Sequence, residues 1–500
     1  MQISAKHNQT TINRADFTGG LNSSTAKEMI ADNELAMVEN MEIDNITGLL
    51  RTVKGTSNLF VDNSKTFKSF AFDKINNVFL IIDNENKVYR FDRTLKQLTI
   101  IGVLTGKASI VSEIWEDGIL IASGGKLQYY NGTSLLTIDQ SPDVCMGVYV
   151  RGGRVFVFYD NTIKYSSIGD ETNWSENNND PSSSKFVEAG YKDGGNITGM
   201  VNMSSDVLII KDNNRIYRLS GEYPDWVIKE LARNISCKNK KSYCSTVNNV
   251  FILGETDLQM ISTTQEYGDM KASNIAMKVK SEIVSLSSEV KLRYIPQLNQ
   301  IWALSGNRRV LVFDCNFNAF FVRVFNSEVQ DVTSVNDNVY ILKNHSLSIL
   351  NDDLVDDGIR LPWKFEGKTI TSYNDLLLKR VRANITPYFT NRADISFIVG
   401  KVKIESNLPD SANNIYRDYS VLFSSKREIK LKLKNDIYNM GYYIAGNDDY
   451  LYQNKDLIKG YECLRTESRC VYRDKGIELK AKGSGGSFLL NSINYDIVEV

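Results

Sequence analysis

The chain is poor in the residues that most enzyme chemistry needs. Among 500 residues there are two histidines, His7 near the start and His345 in a turn between apolar stretches. A Ser-His-Asp or Cys-His relay, or a two-histidine metal centre, would have to use one of them, and neither sits where a scaffold would hold it rigidly. Seven prolines, set against abundant Tyr, Phe and Asn, exclude a disordered Pro-rich chain. No window approaches the roughly 20 apolar residues of a membrane helix, and the opening MQISAKHNQT lacks the apolar core of a signal peptide. The expectation is synthesis in a cytoplasm and no membrane segment. A formal charge of −1 excludes a globally basic nucleic-acid clamp. The six cysteines include Cys237 with Cys244 and Cys463 with Cys470, spaced more widely than zinc ligand pairs, and they read as reduced thiols. No phosphate loop and no GxGxxG opening a helix is present. No cofactor and no metal is expected.

What the chain has in quantity is one repeated unit: an apolar strand, a polar turn and a second, aromatic-rich strand. It occurs seven times, as VFLII-DNENK-VYRF from Val78, ILIA-SGGK-LQYY from Ile119, VFVFY-DN-TIKY from Val155, VLII-KDNNR-IYRL from Val207, VFIL-GETD-LQMI from Val250, IWAL-SGNRR-VLVF from Ile301 and VYIL-KNH-SLSIL from Val339. Each first strand is apolar on both alternating faces and must be covered on both sides. The Asn, Asp and Gly between strands suit tight hairpins. Successive starts lie 36 to 52 residues apart, bracketing the ~40–45 residues of a four-stranded propeller blade. Thr66–Asp73 and Gln97–Leu104 are candidates for further strands of a blade. A large β-sandwich, or two, is the alternative use of the same hairpins.

The flanks differ. Residues 1–60 hold a Gly19-Gly20 turn, a segment that reads as a short helix capped by Asp32 or Asn33 with Leu35, Met37 and Val38 as its apolar positions, and two short strands, MEID and LLRTV, joined by the Asn45–Gly48 turn. A polar insert after Asp160 carries Trp174, which either tucks back on the propeller or meets a neighbour. The NDDLVDD run with Asp352, Asp353, Asp356 and Asp357 reads as a solvated linker. Past Leu361 the blade pattern stops, and Ile429, Leu431 and Leu433 alternate with Lys430, Lys432 and Lys434 in a strand with one wet, basic face. The expected fold is all-β: a β-propeller of about seven blades with an additional antiparallel, β-sandwich-like platform domain. The division is 1–60 docking arm and platform strands, 61–358 propeller, and 359–500 C-terminal antiparallel platform domain. A propeller glycosidase needs only two placed carboxylates. Nothing singles out such a pair among the 60 acidic residues, and a non-enzyme is expected.

The order of five elements carries a family resemblance. DFTGGLN from Asp16, DNELAMVENMEID from Asp32 and GLLRTVKG from Gly48 are followed by GGRVFVFYDNTIKYSSIGDETNW from Gly152 and a Lys-then-I-Y-R-L-x-G hairpin from Lys211. Over about the first 260 residues the chain resembles the tail nozzle, or packaged-DNA stabilisation, proteins of tailed bacteriophages. The positions that match are Asp16, Phe17, Gly19, Gly20, Leu21, Asn22, Glu34, Asn40, Gly48, Arg51, Gly55, Gly169, Asp170, Trp174, Lys211, Tyr217 and Gly221. The resemblance implies a structural virion protein that forms a homo-hexameric ring below the portal and adaptor (head-tail connector). Such a ring holds packaged DNA, conducts it during ejection with transient non-specific contact to the duplex, and carries tail fibres or spikes. The rival expectation is a glycan- or receptor-binding propeller module of the tail.

Overall fold

Each of the seven hairpins becomes the second and third strands of an antiparallel sheet in the computed structural model, which describes residues 9–499 apart from 204, 222, 224, 264–269, 352–354, 389–392, 400–401, 409–417, 424–427, 435–463 and 486. The first sheet is Phe67–Asp73, Val78–Asp83, Lys87–Asp92 and Gln97–Val103 in meander order. Five more four-stranded sheets follow along the chain. The seventh is built from Val329–Val335, Asn338–Lys343 and Ser346–Asn351, and its fourth strand is Gly55–Val61 from before the first blade. This is a seven-bladed β-propeller. From the second blade to the seventh successive innermost strands touch, and the first, Phe67–Asp73, touches Gly118–Ala122 of the second blade and the seventh innermost strand, Val329–Val335. An N-terminal strand in the last blade therefore ties the two ends of the ring together.

The apolar second strands explain the packing. Val78–Asp83, Asp206–Lys211 and Gln300–Leu304 are buried along their whole length, because each blade is covered by a neighbour on both faces. The cores lie between blades: Phe79 and Phe91 pack with Tyr340 and Leu347 across the first and seventh. Phe156 and Tyr165 pack with Ile209 and Tyr217 across the third and fourth. The wealth of Asn has a local cause. Asn77, Asn86, Asn214, Asn299, Asn318 and Asn336 all take positive φ, a left-handed backbone that Asn tolerates better than other residues with a Cβ.

The chain forms two compact units, one of Asn58–Val310 and Ser327–Ile349, the other of Met1–Ser57, Leu311–Asn326 and Leu350–Val500. The second, platform unit holds two sheets. One contains Met41–Ile43, Leu50–Thr52, Ser487–Glu499, Ile370–Tyr388 and Leu464–Ile477 in that order, with Gln9–Arg14 also on Ser487–Glu499. The other runs Gly20–Leu21, Glu34–Glu39, Pro362–Gly367, Leu479–Ser484, Ala393–Val399, Val402–Leu408, Glu428–Lys434, Asp418–Phe423. Buried Trp363 from one sheet meets buried Phe488 from the other edge-on, ring centroids 5.1 Å apart, in the manner of a sandwich.

Two expectations need correction. The predicted helix after Asp32 is the strand Glu34–Glu39. A register shift between Leu35 and Met37 puts an extra residue in the strand, so Leu35 and Val38, three apart, are both fully buried. A bulge has imitated helical spacing. The NDDLVDD run is not wholly solvated: Asp356 is fully buried, accepting hydrogen bonds from Thr56 and from the Asn326 amide. Asp352 and Asp353 lie outside the described residues, as do His7, Cys463 and the side chains of the lysine-striped strand. Of the two placements open to Trp174 the structure has the first: it tucks back, 3% exposed, against Trp115 and Val157. No disulfide joins Cys237 and Cys244, and no helix among the described residues is long and apolar enough to cross a membrane.

Candidate functional site

The matching positions in the N-terminal segment build a buried polar framework in the platform unit. Gly20 takes φ +64, and a Cβ there would lie 2.7 Å from that of Ala319, so the turn admits only glycine. It delivers buried Phe17 against Phe365 and buried Leu21 into the core. Asp16 caps the turn by accepting from the Thr18 amide at 2.8 Å. Asn22 donates to Glu34 Oε2 at 2.8 Å, and the same oxygen accepts from the Ala31 amide. Asn40, 1% exposed at φ 56, uses every polar group it has. Its Nδ2 donates to the carbonyls of Val324 and Pro362, and its Oδ1 accepts from the Val324 amide at 2.7 Å. Its own amide donates to Val322 and its carbonyl accepts from Val53.

Arg51 is one member of a larger ionic chain. Its Nε and Nη2 donate to Glu42 Oε1 at 3.2 and 2.9 Å, and its Nη1 to Asp44 Oδ1 at 3.0 Å. The other Glu42 oxygen accepts from Arg323 Nη2 at 2.7 Å, with both side chains at most 2% exposed. Gly48, at φ +71, closes the turn that sets this register, and its amide donates to Asp44 O. Gly55 starts the strand Gly55–Val61. Sequence reasoning found Arg51 and missed Glu42, Asp44 and Arg323. The hairpin pairing Glu42 with Arg51 was readable from the MEID and LLRTV strands; Arg323 was not, being distant in sequence.

The remaining matching positions lie in the propeller unit and form two separate structural sites. Gly169 at φ +67 and Asp170 shape a turn in which Asp170 accepts from the Thr172 amide and hydroxyl. Those bonds hold its carboxyl below the usual range. Trp174 donates its Nε1 to Glu171 O. On the fourth blade, fully buried Lys211 donates to Ala189 O and Asp193 Oδ1, and Tyr217 donates to Asp193 Oδ2. Burial alone pushes the Asp193 carboxyl up, but Lys211, the Gly195 amide, Asn213 and Tyr217 hold it down at about 2. Gly221, at φ +84, accepts from Arg151. Trp174 thus packs between the second and third blades, and the Lys211–Asp193–Tyr217 group ties the third blade to the fourth.

A further cavity is one that no motif indicated. The innermost strands of the blades enclose a channel of about 750 Å³, and a space of about 230 Å³ shares Ser69, Ile110 and Lys241 with it. The N-terminal ends of these strands bring Lys68, Lys107, Lys241 and Lys291 to the smaller space, with Lys240 and Arg293 in the larger. Asp331 answers them. Arg293 Nε donates to Asp331 Oδ1 at 2.8 Å, and Lys291 Nζ lies 3.5 Å from Oδ2. Burial opposes ionisation of Asp331, yet Arg293, Lys291 and Lys241 hold its carboxyl well below the usual range. Farther along, desolvation pushes the Glu113 carboxyl up to about 7. Among the described residues no group of three or more His, Cys, Asp or Glu could hold a metal ion.

Neither protein-family models nor curated proteins give a match to this chain. Among solved structures it is similar to the computationally designed Ika8 protein, at 12% identity and a TM-score of 0.38 over 59% of this chain and 99% of that one. It is also similar to BamB from Moraxella catarrhalis (10%, 0.37, 62% and 94%) and to the Pan2 WD40 domain of Neurospora crassa (10%, 0.41, 60% and 95%). At such scores the likeness carries no argument about role, and the propeller rests on the seven sheets themselves.

Proposed function

We propose that this propeller protein is a structural, non-catalytic subunit of a tailed-phage virion. Six copies form a nozzle ring below the portal and adaptor that retains packaged DNA and conducts it during ejection. The observation that supports the reading is the use to which the chain puts the residues carrying the resemblance. Phe17, Gly20, Asn22, Glu34, Asn40 and Arg51 are all engaged in fixing the backbone of the platform unit, as expected of a part whose product is a shape. Ring contacts of this kind are head-to-tail, and closure is set by the rotation between neighbours. A net charge of −1 suits a conduit that must not grip a sliding polyanion. Synthesis in the host cytoplasm, assembly into the tail, and attachment of fibres or spikes to the propeller complete the proposal.

The rival receptor-binding reading needs several exposed aromatics on one propeller face. Among the described propeller residues only Phe186 and Tyr191 are exposed aromatics. Cryo-EM of particles from the producing bacterium decides between the two. Six copies around the DNA path below the portal support the nozzle, presence only on fibres together with a positive glycan array supports receptor binding, and absence from particles rejects both.

A further inference from the structure

The basic end of the propeller channel holds more positive charge than it neutralises. Lys241, Lys291 and Arg293 share the acid Asp331 there, Lys68 faces Asp83, and the exposed Glu289 is the carboxylate in the lining of the smaller space, against five cations with Lys107 counted. Three of these cations have protein partners. Lys291 donates to the carbonyls of Lys68 and Gln330 at 2.6 and 2.8 Å, Arg293 is forked onto Asp331, and Lys68 donates to Asn86. Lys241 differs. It is 7% exposed, its side chain lines both cavities, and among the described residues its ammonium makes no hydrogen bond and no ion pair. Its ammonium thus faces the cavity without a protein acceptor, an arrangement in which a bound anion supplies the missing counter-charge. Burial and the nearby Lys291, Arg293 and Lys68 accordingly push Lys241 well below the usual lysine range, against Asp331.

We propose that the basic end of the channel is a binding site for a small oxyanion of the phosphate class, with Lys241 as its principal ligand and Lys68 and Lys107 at its rim. The space of about 230 Å³ accommodates such an anion with its water, and it is far too small for a nucleic-acid duplex. The site is thus independent of the nozzle reading and of any DNA path. Three features favour a tetrahedral oxyanion over chloride. The free donors are ammonium groups, whose three protons each seek an oxygen. They converge from different blades, and the neighbouring Ser109, Ser305 and Gln330 add neutral polar groups to the lining. The anion would bridge blades that otherwise repel one another at this rim, stabilising the propeller as it binds.

The test is thermal unfolding of the full chain in inorganic phosphate, in sulfate and in chloride at matched ionic strength, repeated with glucose 6-phosphate as a phosphomonoester. Wild type gains a saturable rise in melting midpoint from phosphate beyond that in chloride. Lys241→Met has a midpoint in chloride no lower than that of wild type, because the amine it replaces has no protein partner to lose, and binds phosphate about tenfold more weakly or worse by calorimetry. Lys229→Met, on an outer strand, keeps wild-type affinity. Equal binding of glucose 6-phosphate assigns the site to a phosphoryl group carried on a larger molecule, and binding of the inorganic ions alone assigns it to the free ion. If phosphate acts on wild type no differently from chloride, or Lys241→Met keeps wild-type affinity, the site does not exist.

Discussion

Replacing Glu42 by Gln tests whether the ionic chain around Arg51 holds the platform unit together. The substitution keeps the shape and leaves the guanidiniums of Arg323 and Arg51 facing an amide in place of a carboxylate. With Arg323 and Glu42 both at most 2% exposed, water cannot take over the lost charge. Breaking a buried pair by neutralising one member costs about 3–5 kcal/mol. Arg51→Met should cost less, roughly 1–2 kcal/mol, since Arg51 is 21% exposed and Glu42 keeps Arg323. A difference of 3–5 kcal/mol corresponds to roughly two to three and a half powers of ten in local opening. Hydrogen exchange read by mass spectrometry should therefore show the Met41–Thr52 peptide exchanging about a hundredfold faster or more in Glu42→Gln. Peptides from the first five blades should keep their wild-type rates. A change of less than about threefold at residues 41–52 would mean that the charges are not mutually dependent, and the argument for an ionic framework would fail.

Asn40 separates backbone strain from hydrogen bonding. Asn40→Gly keeps the left-handed backbone and loses the side-chain bonds, whereas Asn40→Ala loses both, so Ala should be less stable than Gly by about 1 kcal/mol in denaturant titration; the reverse order contradicts the role given to its φ. Trp174→Ala removes a buried ring between the second and third blades and should cost about 3–5 kcal/mol, seen as a fall on the order of 10 °C in melting midpoint. No change there would return the insert to the status of a surface loop. Asp193 supplies a pH dependence. Its folded carboxyl titrates at about 2 against an ordinary 3.8, so its contribution is present above pH 3.8 and is lost as pH falls through about 2. Acid titration of Asp193→Asn should show a shallower loss over that window, and identical slopes for the two proteins would refute that tie. Glu113 works in the opposite sense. Its folded carboxyl is raised from 4.5 to about 7, so the folded state loses stability as pH rises from 4.5 through 7, and Glu113→Gln should flatten that decline in melting midpoint.

The propeller was legible because its determinant is local. Strands such as Val78–Asp83, apolar on both faces, can only be interior, and they recur at the spacing of a blade. The closure was not legible. Gly55–Val61 looks like any exposed edge strand until its partner Ser346–Asn351 is known, nearly 300 residues later. The Glu34–Glu39 segment misled for a definite reason, since a bulge with buried positions three apart is indistinguishable by periodicity from one turn of an amphipathic helix. Arg51 could be picked out as part of a motif, but its energetic meaning depends on Arg323, which reaches Glu42 across 281 residues of chain.

The channel was invisible for the same reason in a stronger form. Lys68, Lys241, Lys291, Arg293 and Asp331 come from four different blades, and each in isolation reads as a charged residue at the start of a strand. A signal did exist at the level of the repeat. Aligning the seven blades places Lys68, Lys241, Lys291 and Gln330 near equivalent positions at the entry to the innermost strand, where a ring forces equivalent positions to converge. Convergence of like charges onto an axis opposes folding unless something is gained by it, and a chain with 60 acidic residues at its disposal sets only Asp331, Asp83 beside Lys68 and the exposed Glu289 against these cations. A structural channel lining would be neutral or apolar, as the opposite stretch with Ile114, Val148 and Val335 largely is. The excess of charge at one end only is what a bound anion would require.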